Sequence, residues 1–226
     1  MPPNDSLGGE LRPTPRTTLR RKRDRGHFDR ATINSVLDAG LFCHVGFSVE
    51  GSPFVVPMVY ARIGDTLYVH GAAANRTLRA LATGVDACVT VTLVDGVVLA
   101  RSAFHHSMNY RSVMLFGRAD RVVDEKEQLS AMAALLEHLA PGRSTDARAP
   151  SPIELTATLI LRFPITEGSA KIRTGGPIDE PEDLDLPVWA GVVPFALVPG
   201  PAVADAALDE GVEMPAYVRD YPRWAR

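Results

Sequence analysis

The chain has 226 residues, 46% hydrophobic and 23% charged, with a net charge of −3 at pH 7. That length suits one core with a few excursions, and that composition excludes wholesale disorder. The slight acidity gives no reason to expect nucleic acid as a partner, and no apolar run approaches the ~18–20 residues of a membrane span. The Pro- and Arg-rich start carries no apolar stretch of the kind a secretory signal needs, so the cytoplasm is the expected compartment. Cys43 and Cys88 sit in separate apolar runs without metal spacing and read as small buried hydrophobes.

Residues 1–25 lack hydrophobic periodicity and read as a flexible basic arm around Arg20-Arg21-Lys22-Arg23. A single domain is expected over 26–199, followed by a C-terminal extension over 200–226 with no assigned role in the fold. Asp29 is placed to cap a helix over 29–39 with Ile33, Val36 and Leu37 inward, ended by Gly40. Residues 41–47 alternate, Glu50-Gly51-Ser52 turns into a strand over 54–62, and Gly64-Asp65 turns into another over 66–70, giving a β-meander. Asn75 opens a short helix to about 83, closed by Gly84. A strand over 87–94 meets Asp95-Gly96, a strong hairpin signal into 97–102. A long strand follows over 110–123. Leu129, Met132, Ala133, Leu136 and Leu139 then recur at helical spacing over 125–139, stopped by Pro141-Gly142. Residues 155–163 read as a strand, 169–173 as its continuation, and the chain from about Gly175 as an irregular tail wrapping the body. Many short antiparallel strands with few helices predict a small barrel or sandwich.

Three segments carry chemistry. In Tyr68-Val-His-Gly-Ala-Ala-Ala-Asn-Arg-Thr-Leu78 a strand ends in a Gly/Ala-rich turn, and Asn75 and Arg76 begin a helix. Free N–H groups beside a guanidinium suit an anion, phosphate above all, and Thr77 adds a hydroxyl. An ordinary surface helix with a good cap explains the same residues. In Arg101-Ser-Ala-Phe-His-His-Ser-Met-Asn-Tyr-Arg-Ser-Val113, Arg111 shares a strand face with Val113 and Leu115, away from Tyr110 and Ser112. An arginine there needs an anionic partner, either a ligand phosphate or a structural carboxylate. His105 and His106 are adjacent and point to opposite faces of a strand, so no metal site is expected. In Gly168-Ser-Ala-Lys-Ile-Arg173, Lys171 and Arg173 recur with period two and require an anion, from a ligand or from the acidic tail at Asp179, Glu180, Glu182 and Asp183. No P-loop, GxSxG elbow or Rossmann fingerprint is present.

Together these segments resemble the pyridoxamine 5′-phosphate oxidase-like, FMN-binding split β-barrel proteins, in the nitroimidazole-resistance-type branch, over about residues 28–194. The resemblance implies a mainly β, antiparallel split β-barrel with a few flanking helices, forming a homodimer with FMN in clefts between subunits. It places Asn75, Arg76 and Thr77 where the family has Ser-Arg-Lys or similar on the flavin phosphate, with Arg111 as a further anion ligand; Lys171 and Arg173 are expected at the FMN phosphate, at a second anionic substrate or at the acidic tail. Pro57, Met58 and Val59 are expected along the flavin ring, and Thr92 and Ser107 near the ring or ribityl chain. Tyr110 and Ser112 accompany Arg111 at the cofactor, and Trp189 covers a flavin face or packs on the barrel. His70 or His106 faces the substrate as the catalytic group. The implied activity is an oxidoreductase passing electrons from a reduced nicotinamide or another flavin to a small organic acceptor. Pyridoxamine-phosphate oxidation itself is not expected, because that enzyme's C-terminal Arg-Leu-containing signature is missing. A non-enzymatic FMN storage or sensor protein shares every phosphate residue, and a haem-binding split barrel, with His105 or His106 as axial ligand, is the third alternative.

Overall fold

In the computed structural model, residues 9–221 are described. β1 (Gly26–His27) and α1 (Arg30–Ala39) lead into the meander β2 (Phe42–Val49), β3 (Ser52–Ile63) and β4 (Thr66–Ala72). A short helix, α2 (Arg76–Leu81), precedes the long pair β5 (Ala87–Leu99) and β6 (Ser107–Gly117). β7 (Asp120–Arg121), α3 (Glu125–Leu139), α4 (Pro152–Ala157), β8 (Thr158–Pro164) and β9 (Glu167–Arg173) complete the body. β10 (Gly191–Pro194) and α5 (Ala216–Arg219) belong to the tail. The strands form one antiparallel sheet in the order β1-β9-β6-β5-β2-β3-β4-β8-β7, with β10 added to β5. This is the expected mainly β split barrel.

Alternation builds the core. Val45 and Phe47 of β2, Val89 and Val91 of β5, and Val113 and Leu115 of β6 point inward and are buried. Ile33, Val36 and Leu37 of α1 and Leu78 and Leu81 of α2 join the same apolar cluster. Asp29 caps α1 by accepting from the Thr32 N–H at 2.8 Å, a bond that holds its carboxyl below the usual range. Gly40 follows α1 in an extended conformation rather than a left-handed one. It is required by space: a Cβ there would lie 2.4 Å from Val91 Cγ1.

Several sequence expectations change. Asp95-Gly96 makes no hairpin. β5 runs on through it, and the register slips between Val94 and Gly96. Asp95 is therefore the extra residue of a bulge, and Gly96 lets β10 approach: a Cβ would stand 2.7 Å from the Val193 carbonyl oxygen. Residues 152–157 are helical because Ser151 and Glu154 form a reciprocal capping box with Pro152 at the helix start. The basic arm is partly anchored: Leu11 is buried in the core, its N–H bonds the Phe28 carbonyl at 2.9 Å, and Arg16 pairs with Glu167. Residues 1–8 of that arm lie outside the described residues. The C-terminal extension also has a place, since the Tyr217 hydroxyl donates to Asp146 at 2.6 Å and the Tyr221 hydroxyl bonds the Leu139 carbonyl.

Candidate functional site

β4 runs along β8 as far as the Ala72–Thr158 pair, and there the chain turns. The Ala73 N–H bonds the Ala157 carbonyl at 2.8 Å, and the Asn75 N–H bonds the Ala72 carbonyl at 2.8 Å. The Asn75 side-chain oxygen accepts from the Leu78 N–H at 3.1 Å, so that atom serves as the cap of α2. Gly71 leaves room for the helix, because a Cβ there would lie 2.9 Å from Leu78 Cδ1. Arg76 is exposed and lies over the Phe54 ring, its guanidinium carbon 5.3 Å from the ring centre. Among the described residues it makes no ion pair or side-chain hydrogen bond. Arg76 and Thr77 line a cavity of about 260 Å³ with Phe47, Phe54, Glu50 and Ser52, between α2 and the β2–β3 hairpin.

The sheet gathers a second group. Pro57, His44, Thr90, Met114 and Ser169 follow one another across β3, β2, β5, β6 and β9. Thr92, Ser112 and Lys171 form the next row, and Val94, Tyr110 and Arg173 the one after. Directly opposed residues share a face, so Pro57, Thr92, Tyr110, Ser112, Lys171 and Arg173 lie together on the side away from the core. Val59, opposite Phe42, belongs there too. Met58 does not, because it packs against the core. Pro57 lies in the part of β3 that pairs only with β2, which is the edge position a proline requires.

Arg111 faces the other way and meets Asp95, Nη2 to Oδ1 at 2.7 Å. Its guanidinium pKa is raised, mainly by the hydrogen bonds to Asp95. Of the two partners its position demanded, the structure supplies the carboxylate. Arg173 is buried and donates to the Asn109 side-chain oxygen and to the Gly176 carbonyl at 3.1 Å. Burial first, then the charge of Arg25, lowers its pKa. The acidic tail does not take up Lys171 and Arg173: Asp179 accepts from the Arg101 N–H and guanidinium, each at 2.9 Å. Trp189 is 66% exposed and lies against Gly191, where a Cβ would be 2.8 Å from its ring. Ser107 opens β6 opposite Val98.

The histidines differ in state. His70 on β4 has a buried Nδ1 without a hydrogen-bond partner, and burial lowers its pKa. His106 Nδ1 lies 2.9 Å from the Ser102 carbonyl oxygen and donates to it. His105 Nε2 is 3.5 Å from Glu180. His70 stands on β4 and His106 in the turn just before β6, and β5, β2 and β3 lie between those two strands in the sheet. Phe54 beneath Arg76 and Asp95 beside Arg111 are partners that sequence spacing did not single out.

The model of the family described as pyridoxamine 5′-phosphate oxidase matches residues 29–172. The chain belongs to that family. Among solved structures it resembles the flavocytochrome Anf3 from Azotobacter vinelandii at 38% identity and TM-score 0.87, over 93% of this chain and 98% of the other. A FAD and heme binding protein from Mycobacterium smegmatis is 36% identical with TM-score 0.83, over 86% and 96% of the two chains. A Bacteroides thetaiotaomicron protein named for 5-nitroimidazole antibiotic resistance is 26% identical with TM-score 0.54, over 64% and 84%. No curated protein matches the chain. As a member of this oxidase family the chain carries the family's flavoprotein barrel, and no helix among the described residues is long and apolar enough to cross a membrane.

Proposed function

We propose that this chain is a flavin-dependent oxidoreductase that holds the flavin 5′-phosphate on Arg76 and Thr77 and acts as a homodimer. The observation that carries the reading is the Arg76 guanidinium, exposed beside a cavity and paired with no carboxylate among the described residues. A phosphate fits that donor set, since a guanidinium fork matches two phosphate oxygens and the Thr77 hydroxyl adds a third bond. Glu50 lines the same cavity, so the phosphate belongs on its α2 side. The 5′-phosphate is common to FMN, the expectation from sequence, and to FAD, the flavin named for the M. smegmatis relative.

Phe42, Val55 and Met114 are 53%, 68% and 44% exposed on the outer face of the barrel. Apolar side chains grouped on a face suit a second copy, and a two-fold interface would give two equivalent flavin clefts. Pro57, Val59, Thr92, Tyr110 and Ser112 would line each cleft. Bound flavin supplies hydride and single-electron chemistry; the chain supplies binding and orientation. His70, kept neutral by burial, is available as a proton acceptor on the strand that ends at the phosphate turn. Electrons would pass from a reduced nicotinamide or another donor to a small organic acceptor.

A haem-binding reading has an observation of its own. The bond from His106 Nδ1 to the Ser102 carbonyl orients the ring and leaves Nε2 as the nitrogen that would ligate iron. Both of the more similar relatives are named for haem or cytochrome character.

The test is the visible spectrum of freshly purified protein, followed by identification of the released cofactor and anaerobic titration with NADPH. Flavin near one per chain, reduced by NADPH, supports the oxidoreductase. Bound flavin that no donor reduces would sink the enzymatic reading and leave a carrier. A Soret band abolished in His106→Ala and kept in His105→Ala supports haem on His106; no band after addition of hemin removes haem.

A further inference from the structure

α2 separates two cavities. Arg76, Thr77 and Ala80 face the one described above, while Arg79, Ala82 and Thr83 face another of about 340 Å³. Arg79 lies in the last turn of α2, and Ala82 and Thr83 follow the end of that helix at Leu81. Ala73 of the turn, Leu159 of β8 and Arg121 of β7 complete the second cavity. The pairing of Arg121 with Leu161 fixes where β7 brings its arginine.

The polar lining is two guanidiniums and a threonine, with no carboxylate. Among the described residues, neither Arg79 nor Arg121 makes an ion pair or a side-chain hydrogen bond. Other arginines here do find acids: Arg62 meets Asp38, Arg111 meets Asp95 and Arg148 meets Glu154. Two like charges brought to one hollow by separate elements repel unless an anion lies between them. Guanidinium forks favour phosphate. The volume falls at the low end of the roughly 300–1,000 Å³ usual for small-molecule sites. Ala73, Ala82 and Leu159 supply an apolar wall for the organic part of a ligand.

We propose that the cavity between α2 and β7 binds a nucleoside diphosphate group, with Arg79 and Arg121 on its phosphates. That chemistry has two sources. One is the adenosine diphosphate half of FAD, reaching around α2 from a flavin at the Arg76 cavity, and this source rests on the flavin reading above. The other is a free nucleotide bound beside the flavin.

The experiment titrates the full chain, freed of cofactor, with FMN, FAD and ADP, for the unaltered protein, Arg79→Gln and Arg121→Gln. Both side chains are exposed, and an unchanged melting temperature is the folding control. If FAD supplies the group, FAD binds at least tenfold tighter than FMN, either substitution erases that difference without altering FMN affinity, and ADP displaces FAD alone. If a free nucleotide supplies it, ADP binds with FMN at saturation and loses at least tenfold in both variants. Absence of ADP binding together with equal FMN and FAD affinities, or affinities that neither substitution moves, overturns the proposal. Loss of all flavin binding with ADP binding intact would instead sink the flavin reading and leave this site standing.

Discussion

Arg111 and Asp95 clamp each other across the β5–β6 pair, Nη2 to Oδ1 at 2.7 Å and Nε to Oδ2 at 3.0 Å. The bulge that unpairs Asp95 from the ladder is what turns its carboxylate toward the arginine. Asp95→Asn should lower stability by about 1–2 kcal/mol, discounted for partial exposure, because the half-buried guanidinium loses its charged acceptor. Urea denaturation measures this. Flavin affinity should stay within about twofold; a larger loss would mean that Arg111 and Asp95 serve the cofactor directly.

Arg76→Gln should leave the melting temperature unchanged and weaken flavin binding by about tenfold to a hundredfold, the range of one charge-assisted phosphate contact. The remaining affinity should depend less on salt than that of the unaltered protein. Fluorescence titration in two salt concentrations reads both effects.

Burial holds the His70 pKa below its ordinary 6.5. The unfolded chain then binds a proton more readily than the native one. The stability contribution is complete above about pH 6.5 and is lost as pH falls through the depressed native value. Melting temperatures from pH 7.5 to 5 should therefore fall more steeply for the native sequence than for His70→Gln. Parallel curves would show that the ring is not held neutral.

The Cys43 thiol is buried and pushed up to about 12, while Cys88 is only half-buried on the outer face. Without denaturant, an aromatic disulfide reagent should label Cys88 first and leave Cys43 unmodified until the chain unfolds. Prompt reaction of both thiols would contradict the packing around Cys43.

The barrel was legible where one side of each strand met the core and the other did not. The alternation in β2, β5 and β6, the cap at Asp29 and the stop at Pro141-Gly142 are local signals; the cap opens α1, and α3 ends at Leu139, just before that stop. Asp95-Gly96 misled because the same dipeptide serves a hairpin or a bulge, and only Arg111 from the next strand and β10 from the distant tail decide between them. The α4 capping box was present as Ser151-Pro-Ile-Glu154, but the apolar residues after it concealed it. At the candidate site, Asn75, Arg76 and Thr77 were readable as a run. Arg121 was not, because β7 is two residues long and its position comes from pairing with β8.

β5 has β6 along one side throughout, but β2 covers its other side only from Ala87 to Thr90. Beyond the bulge, Gly96 to Leu99 is paired instead by β10. A chain cut before residue 191 would keep its core and leave that stretch as an open row of amides and carbonyls. Such a row accepts a strand from any neighbouring molecule. By pairing that stretch the tail closes it to strand addition, and its loss should appear as turbidity at high protein concentration.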